Sequence, residues 1–159
     1  GLGTSNLIME KRIEIIKKIP KELKTFNIIH PTAIVSNSST IGKGNLIESF
    51  TKIGPNATIG SYCIIQSFVS INHDVHIEDN VMLATHVSFA GRKIGKNSII
   101  GDGATITFKK NIGKNCYLCE GSVLTKNMPN NSFAYGSPAK IFDKNNQTLN
   151  ILNKKINEG

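Results

Sequence analysis

The sequence predicts an all-β fold, a parallel β-helix built from hexapeptide repeats, and three observations predict it. First, every sixth residue from Ile29 to Phe89 is large and apolar: Ile29, Val35, Ile41, Ile47, Ile53, Ile59, Ile65, Ile71, Ile77, Leu83 and Phe89. After one five-residue step the column resumes as Ile94, Ile100, Ile106, Ile112, Leu118 and Leu124. Second, four residues after each comes a mostly small or β-branched side chain, as in Ala33, Ala57, Cys63, Val69, Val75, Val81, Ala104 and Cys116, with Asn45, Lys93 and Lys110 as polar exceptions. Third, Gly42, Gly54, Gly60, Gly95, Gly101 and Gly113 directly follow large residues, where a turn is expected to need permissive backbone. A six-residue period fits neither a 3.6-residue helix nor two-residue strand alternation. Short strands joined by tight corners do fit it, three faces to a coil, with stacked coils burying a continuous column.

Residues 1–28 precede the coil. Gly1, Gly3 and Ser5 read as a turn with Ser5 capping a helix, whose apolar side is Met9, Ile13 and Ile16 and which Pro20 ends. Residues 29–127 form the coil, its one break in spacing at the corner containing Gly91. Coiling is expected to stop after Leu124, so that residues 128–159 hold a polar turn from Met128 to Asn131, a strand over Ser132–Tyr135, and an amphipathic tail with Leu149, Ile151, Leu152 and Ile156.

A chain of 159 residues supports one such domain with appendages, and no apolar run approaches the ~20 residues of a membrane span. Three cysteines without framework spacing point to a reducing, cytoplasmic compartment, with Cys63 and Cys116 as core thiols. The net charge of +8 is uneven. From Arg92 to Lys140 eight basic residues face only Asp102 and Glu120, so this segment carries +6. Such a concentration suits a polyanionic small ligand. Few aromatic residues accompany it and no nucleic-acid motif appears, which argues against a nucleic-acid partner.

The residues with chemical potential cluster just after inward Ile71, as Asn72, His73 and Asp74. One coil later the position of His73 is occupied by Gly91, preceded by Ala90, and adjacent coils lie ~4.8 Å apart. A general base beside a sterically open backbone N–H suits acyl transfer, and Asp74 would fix the imidazole tautomer. Further along the same corner stand Phe108, followed by Lys109 and Lys110, and then Lys126. No metal site is expected, because His73, His76 and His86 occupy different positions within their hexads and zinc needs converging imidazoles.

The hexads, Asn72-His73-Asp74, Ala90-Gly91 and the closing Tyr135-Gly136-Ser137-Pro138-Ala139-Lys140 together resemble one family over roughly residues 29–140. It looks like the bacterial hexapeptide acyltransferases of the sialic acid O-acetyltransferase type, which include N-acetyltransferases of nucleotide-linked amino sugars. The resemblance implies a left-handed coil, a homotrimer with sites between subunits, and acetyl-CoA as donor. It implies His73 as base with Asp74 beside it, the Gly91 N–H at the thioester carbonyl, and Pro138, Ala139 and Lys140 near the adenine. A pantetheine arm laid along the corner from Ala90 past Phe108 is then expected to meet Lys109 and Lys126 where its phosphates lie. Family members often carry a second histidine nine residues after the base. Here that place is Met82, with His86 nearby, and these join Asn72 as expected acceptor contacts. Many members also have an N-terminal nucleotide-binding domain, of which Gly1 to Ile19 resembles only the last turn and helix. The expected function is acetyl transfer to an amino sugar, the expected partners being a sugar nucleotide and two further copies of the chain. O-acetylation of a sugar hydroxyl is the first alternative, and a non-catalytic assembly module the second.

Overall fold

The computed structural model describes residues 2–20 and 22–143, with side chains from Leu7 onward. One helix, α1 (Leu2–Lys18), is followed by a left-handed parallel β-helix of two-residue strands. The three faces pair in register at intervals of one coil. The first face stacks Ile29, Ile47, Ile65, Leu83, Ile100 and Leu118; the second Val35, Ile53, Ile71, Phe89, Ile106 and Leu124; the third Ile41, Ile59, Ile77, Ile94 and Ile112. From Ile47 onward these side chains are fully buried, each contributing ~1.5–3 kcal/mol by removal from water.

The small column also points inward, and its polar members are satisfied. Buried Asn45 donates to the Gly60 carbonyl and accepts from the Cys63 N–H at 2.7 Å. Ser98 donates to the Gly113 carbonyl and accepts from the Cys116 N–H. Cys63 and Cys116 are core thiols, as expected, and burial pushes Cys63 up to about 11. Lys93 departs from the column. The missing residue before it shifts Lys93 onto the outer surface of the third face, where it pairs with Glu78 at 2.6 Å.

The corners correct one expectation. The glycines after the large residues do not supply left-handed backbone; that conformation falls two positions later, at Phe50, Asn56, Tyr62, Phe68, Asp74, Asn80 and His86 among others. What Gly54 supplies is closeness. A Cβ there would lie 2.8 Å from the carbonyl carbon of Asn72 in the next coil. Glycine thus lets successive corners stack at the strand spacing.

Coiling also runs past Leu124. Met128 bridges in parallel to Ile112 and is buried, and Ser132–Tyr135 pairs in parallel beneath Tyr117 and Leu118 with Ala134 inward. The spacing from Leu124 to Met128 is four rather than six, which hides the last coil from a hexad reading. Lys140–Asp143 then folds back antiparallel on Ser132–Tyr135. The expected tail around Leu149 to Ile156 lies outside the described residues.

The outer surface of the first face is apolar, and α1 covers part of it. Met9 is buried with Ile99, Tyr117 and Phe133, while Ile13 and Met82 pack at the edge. Pro20 follows the helix end as expected, but the helix begins at Leu2, with Ser5 inside it rather than at its cap. A capping preference is worth only ~1 kcal/mol and does not outweigh continuing a helix through the segment.

Candidate active site

The corner joining the second face to the third carries the polar cluster. Asn72, His73 and Asp74 follow inward Ile71, and the pairing of Ile71 with Phe89, Phe89 with Ile106 and Ile106 with Leu124 puts Gly91, Phe108 and Lys126 at the same corner of successive coils. The column read from the sequence is therefore present. Asp74 occupies the left-handed corner position, with φ of 56°. Its amide donates to the Pro55 carbonyl, and its side chain runs alongside the imidazole. His73 Nδ1 lies 2.6 Å from Asp74 Oδ2, and Asn56 Nδ2 donates to Asp74 Oδ1 at 3.0 Å. The His73 contact, with help from Asn56, holds the Asp74 carboxyl below its ordinary range. An ionised carboxylate only accepts, so Nδ1 is the nitrogen that donates to it, and in the neutral imidazole this leaves the lone pair on Nε2.

The next corner is shorter by one residue and has no counterpart to left-handed Asp74 or Lys109. This draws Gly91 in until it is buried. A Cβ on Gly91 would lie 2.4 Å from Cε2 of Phe89 and 2.6 Å from the Lys110 carbonyl oxygen, so only glycine fits. The flanking Ala90 and Arg92 amides donate to Ile106 and Lys110. Among the described residues the Gly91 N–H meets no acceptor. An unoccupied donor beside a histidine whose Nε2 carries a lone pair is the geometry that acyl transfer requires.

Two depressions collect the residues expected to contact a cofactor. One of about 170 Å³ is walled by His73, Asp74, Ala90, Gly91, Phe108 and Lys109, with Asn72 and Arg92 at its margin. Lys109 Nζ sits 5.1 Å from the centre of the exposed Phe108 ring. The second, of about 650 Å³, lies further along the stack where the final hairpin turns back. Lys126, Pro138, Ala139 and Lys140 line it, as does Tyr135, whose ring stacks on Phe142 at 5.3 Å. The basic segment divides accordingly. Arg92, Lys109, Lys126 and Lys140 border these depressions, whereas Lys93 and Lys114 border another on the third face. Sequence reasoning did not single out Arg92 or Tyr135 as contacts; their adjacency to Gly91 and Gly136 was the available signal.

Of the expected acceptor contacts, only Asn72 is brought to His73. Met82 lies half-buried on the first face under α1, and His86 stands on the corner between the first and second faces, its ring stacked on Phe68 at 4.8 Å. The reason is periodic. Nine residues are half an eighteen-residue coil, so within one chain Met82 is turned away from His73. Among the described residues no three His, Cys, Asp or Glu side chains gather where they could hold a metal ion. Nor is any described helix long and apolar enough to cross a membrane.

Known proteins resemble this chain. The Saccharomyces cerevisiae protein YJL218W, which carries an acetyltransferase name, is 43% identical over 51 residues, 32% of this chain and 26% of that protein. A mutant of perosamine N-acetyltransferase from Caulobacter crescentus, in complex with CoA and GDP-perosamine, superposes with a TM-score of 0.76 at 24% identity, over 87% of this chain and 65% of that one. PerB from Caulobacter crescentus, in complex with the same two ligands, gives 0.67 at 27% identity, over 87% and 66%. The chain therefore spans about a quarter of the yeast relative and about two thirds of the bacterial ones. Residues 47–132 match a family described as the GMPPB C-terminal domain, and with more than half of its length so matched the chain belongs to that family.

Proposed function

We propose that the protein transfers an acetyl group from acetyl-CoA to the amine of a nucleotide-linked sugar, with His73 as general base. One observation carries the reading: His73, oriented by Asp74, lies in one depression with the unengaged N–H of Gly91. In this mechanism Nε2 takes a proton from the amine as its nitrogen attacks the thioester carbonyl carbon. The Gly91 N–H stabilises the oxygen that becomes negative. The C–S bond then breaks, and coenzyme A leaves as a thiolate that accepts the proton from His73. The pantetheine arm follows the corner past Phe108, and Lys109, Lys126 and Lys140 meet the phosphates. The CoA complexes of the bacterial neighbours support the donor, and GDP-perosamine in the same complexes supports a sugar-nucleotide acceptor.

The active assembly in this reading is a homotrimer in the cytoplasm, serving surface glycan or glycoprotein synthesis. One coil stack offers only open depressions, and closed cyclic symmetry with three copies suits its triangular section. Light scattering that finds a fully active monomer overturns this part. The function is tested by incubating acetyl-CoA with a panel of amino-sugar nucleotides and following free thiol. Release that depends on an amine-bearing acceptor is expected; no release with any acceptor, or equal release by His73→Ala, rejects the reading.

A further inference from the structure

We propose that the acceptor reaches His73 from the side opposite the donor, over the preceding coil, and that Lys52 holds the phosphate to which the sugar is linked. The inference rests on the assignment of His73 as base and donor-side residue. His73 borders two depressions, not one. Besides the donor depression it borders another of about 460 Å³, whose remaining wall includes Lys52, Gly54, Asn56 and Ser70. In an acyl transfer the base must lie within hydrogen-bond reach of the nucleophile while the carbonyl lies on the nucleophile's far side. With the thioester drawn toward Gly91, the depression over the earlier coil is the side of the imidazole left for the amine.

The lining of this depression has the chemistry of a sugar phosphate site. Lys52 and Ser70 are directly paired on the second face, both outward and exposed. Ser70 offers a hydroxyl to a hydroxylated ring. Asn56 spends its amide N–H on Asp74 and retains its carbonyl oxygen as an acceptor. The absent Cβ of Gly54 leaves the floor at backbone level beneath Asn72 and His73. Among the described residues Lys52 has no carboxylate partner, so its ammonium stands ready for an anion. A compact ammonium on a long stem suits a phosphate as a point charge. The volume falls in the range of small-ligand sites, enough for a ring and its first phosphate.

The test follows thiol release with whichever amino-sugar nucleotide supports it, comparing Lys52→Ala, Ser70→Phe and His73→Ala. Lys52→Ala should raise KM for the acceptor about tenfold, with KM for acetyl-CoA unchanged. It should also weaken competitive inhibition by inorganic pyrophosphate about tenfold, while inhibition by the unphosphorylated amino sugar stays the same. Ser70→Phe, an outward substitution on an exposed strand position, should fill the depression and lower acceptor turnover by at least about 100-fold. Its dissociation constant for coenzyme A should not move. If both variants keep the wild-type acceptor KM while His73→Ala is inactive, the acceptor assignment is overturned and the base assignment stands. A rise in the coenzyme A dissociation constant with unchanged acceptor KM places Lys52 on the donor side and overturns it as well. Full activity of His73→Ala removes the base and the inference together.

Discussion

Two corners of the same coil are built on one backbone plan and put to opposite uses. The corner leading from the third face to the first repeats asparagine in the left-handed position, at Asn80, Asn97, Asn115 and Asn131. Their amides form a ladder, each Nδ2 donating to the next Oδ1 at 2.9–3.2 Å. Arg12 of α1 closes the upper end, donating to Asn80 Oδ1 and to the Tyr62 carbonyl. The corner leading from the second face to the third has a single such rung, Asn56 Nδ2 to Asp74 Oδ1, and goes no further. It carries Asp74, then a shortened turn at Gly91, then Lys109, and gathers the imidazole, a backbone N–H without an acceptor and two cations along one depression. Where corner groups bond to one another the coil gains a handle for its helix. Where some are left without protein partners it gains the candidate site.

The comparison makes opposite predictions for the two corners. The largest effect is expected at His73. His73→Ala should lower kcat/KM by about 10²–10⁴, the usual worth of a general base, with the melting temperature little changed because the side chain is exposed. Gly91→Ala should act on both quantities. Its methyl group would collide with the Phe89 ring and the Lys110 carbonyl, and the displaced N–H should cost about 10²–10³ in kcat. Overpacking of this kind costs ~1–3 kcal/mol, which calorimetry would register as a lower melting temperature. Lys126→Ala is smaller and selective: about a tenfold rise in KM for acetyl-CoA with acceptor KM unchanged, read by titrating coenzyme A.

On the ladder the pattern inverts. Asn97→Ala places alanine in left-handed backbone and breaks two side-chain bonds, an expected loss of ~1–3 kcal/mol and several degrees of melting temperature. Turnover at saturating substrate should stay within about twofold of wild type, since such a variant removes no transition-state contact. A large fall in kcat would show that the two corners are coupled. The smallest effect concerns pH. Asp74 has a lowered pKa, so its contribution to stability is present above the ordinary carboxylate pKa and is lost as the pH falls through the depressed value. Melting curves of wild type and Asp74→Asn should therefore converge on acidification. Curves that stay parallel from neutral to acid pH would mean that the contact adds no pH-dependent stability.

Much of the site was legible because a strict repeat turns sequence separation into spatial position. With eighteen residues to a coil, His73 and Gly91 must stack, and the five-residue step carries the column on to Phe108 and Lys126. The same arithmetic turns Met82, half a coil away, from His73 within one chain; resemblance alone had brought it to the acceptor. Asn56 was legible in principle, one coil before Asp74, but nothing in its type marked it as that residue's partner.

What the sequence by itself determined is the coil: its period, its inward columns, the order of its faces and the corner that carries Asn72, His73 and Asp74. Large apolar side chains at a six-residue interval come to one interior when short strands turn at regular corners. The tertiary structure decided what lies between coils and beyond the repeat. It showed that Gly54 serves close approach rather than left-handed backbone, that Met128 and Ala134 extend the core, and that α1 rests on the apolar first face. It also divided the surface beside His73 into two depressions. These depend on contacts between residues many positions apart and on a few tenths of an ångström between stacked backbones. A hexad pattern specifies which way a side chain points, but not what it meets there.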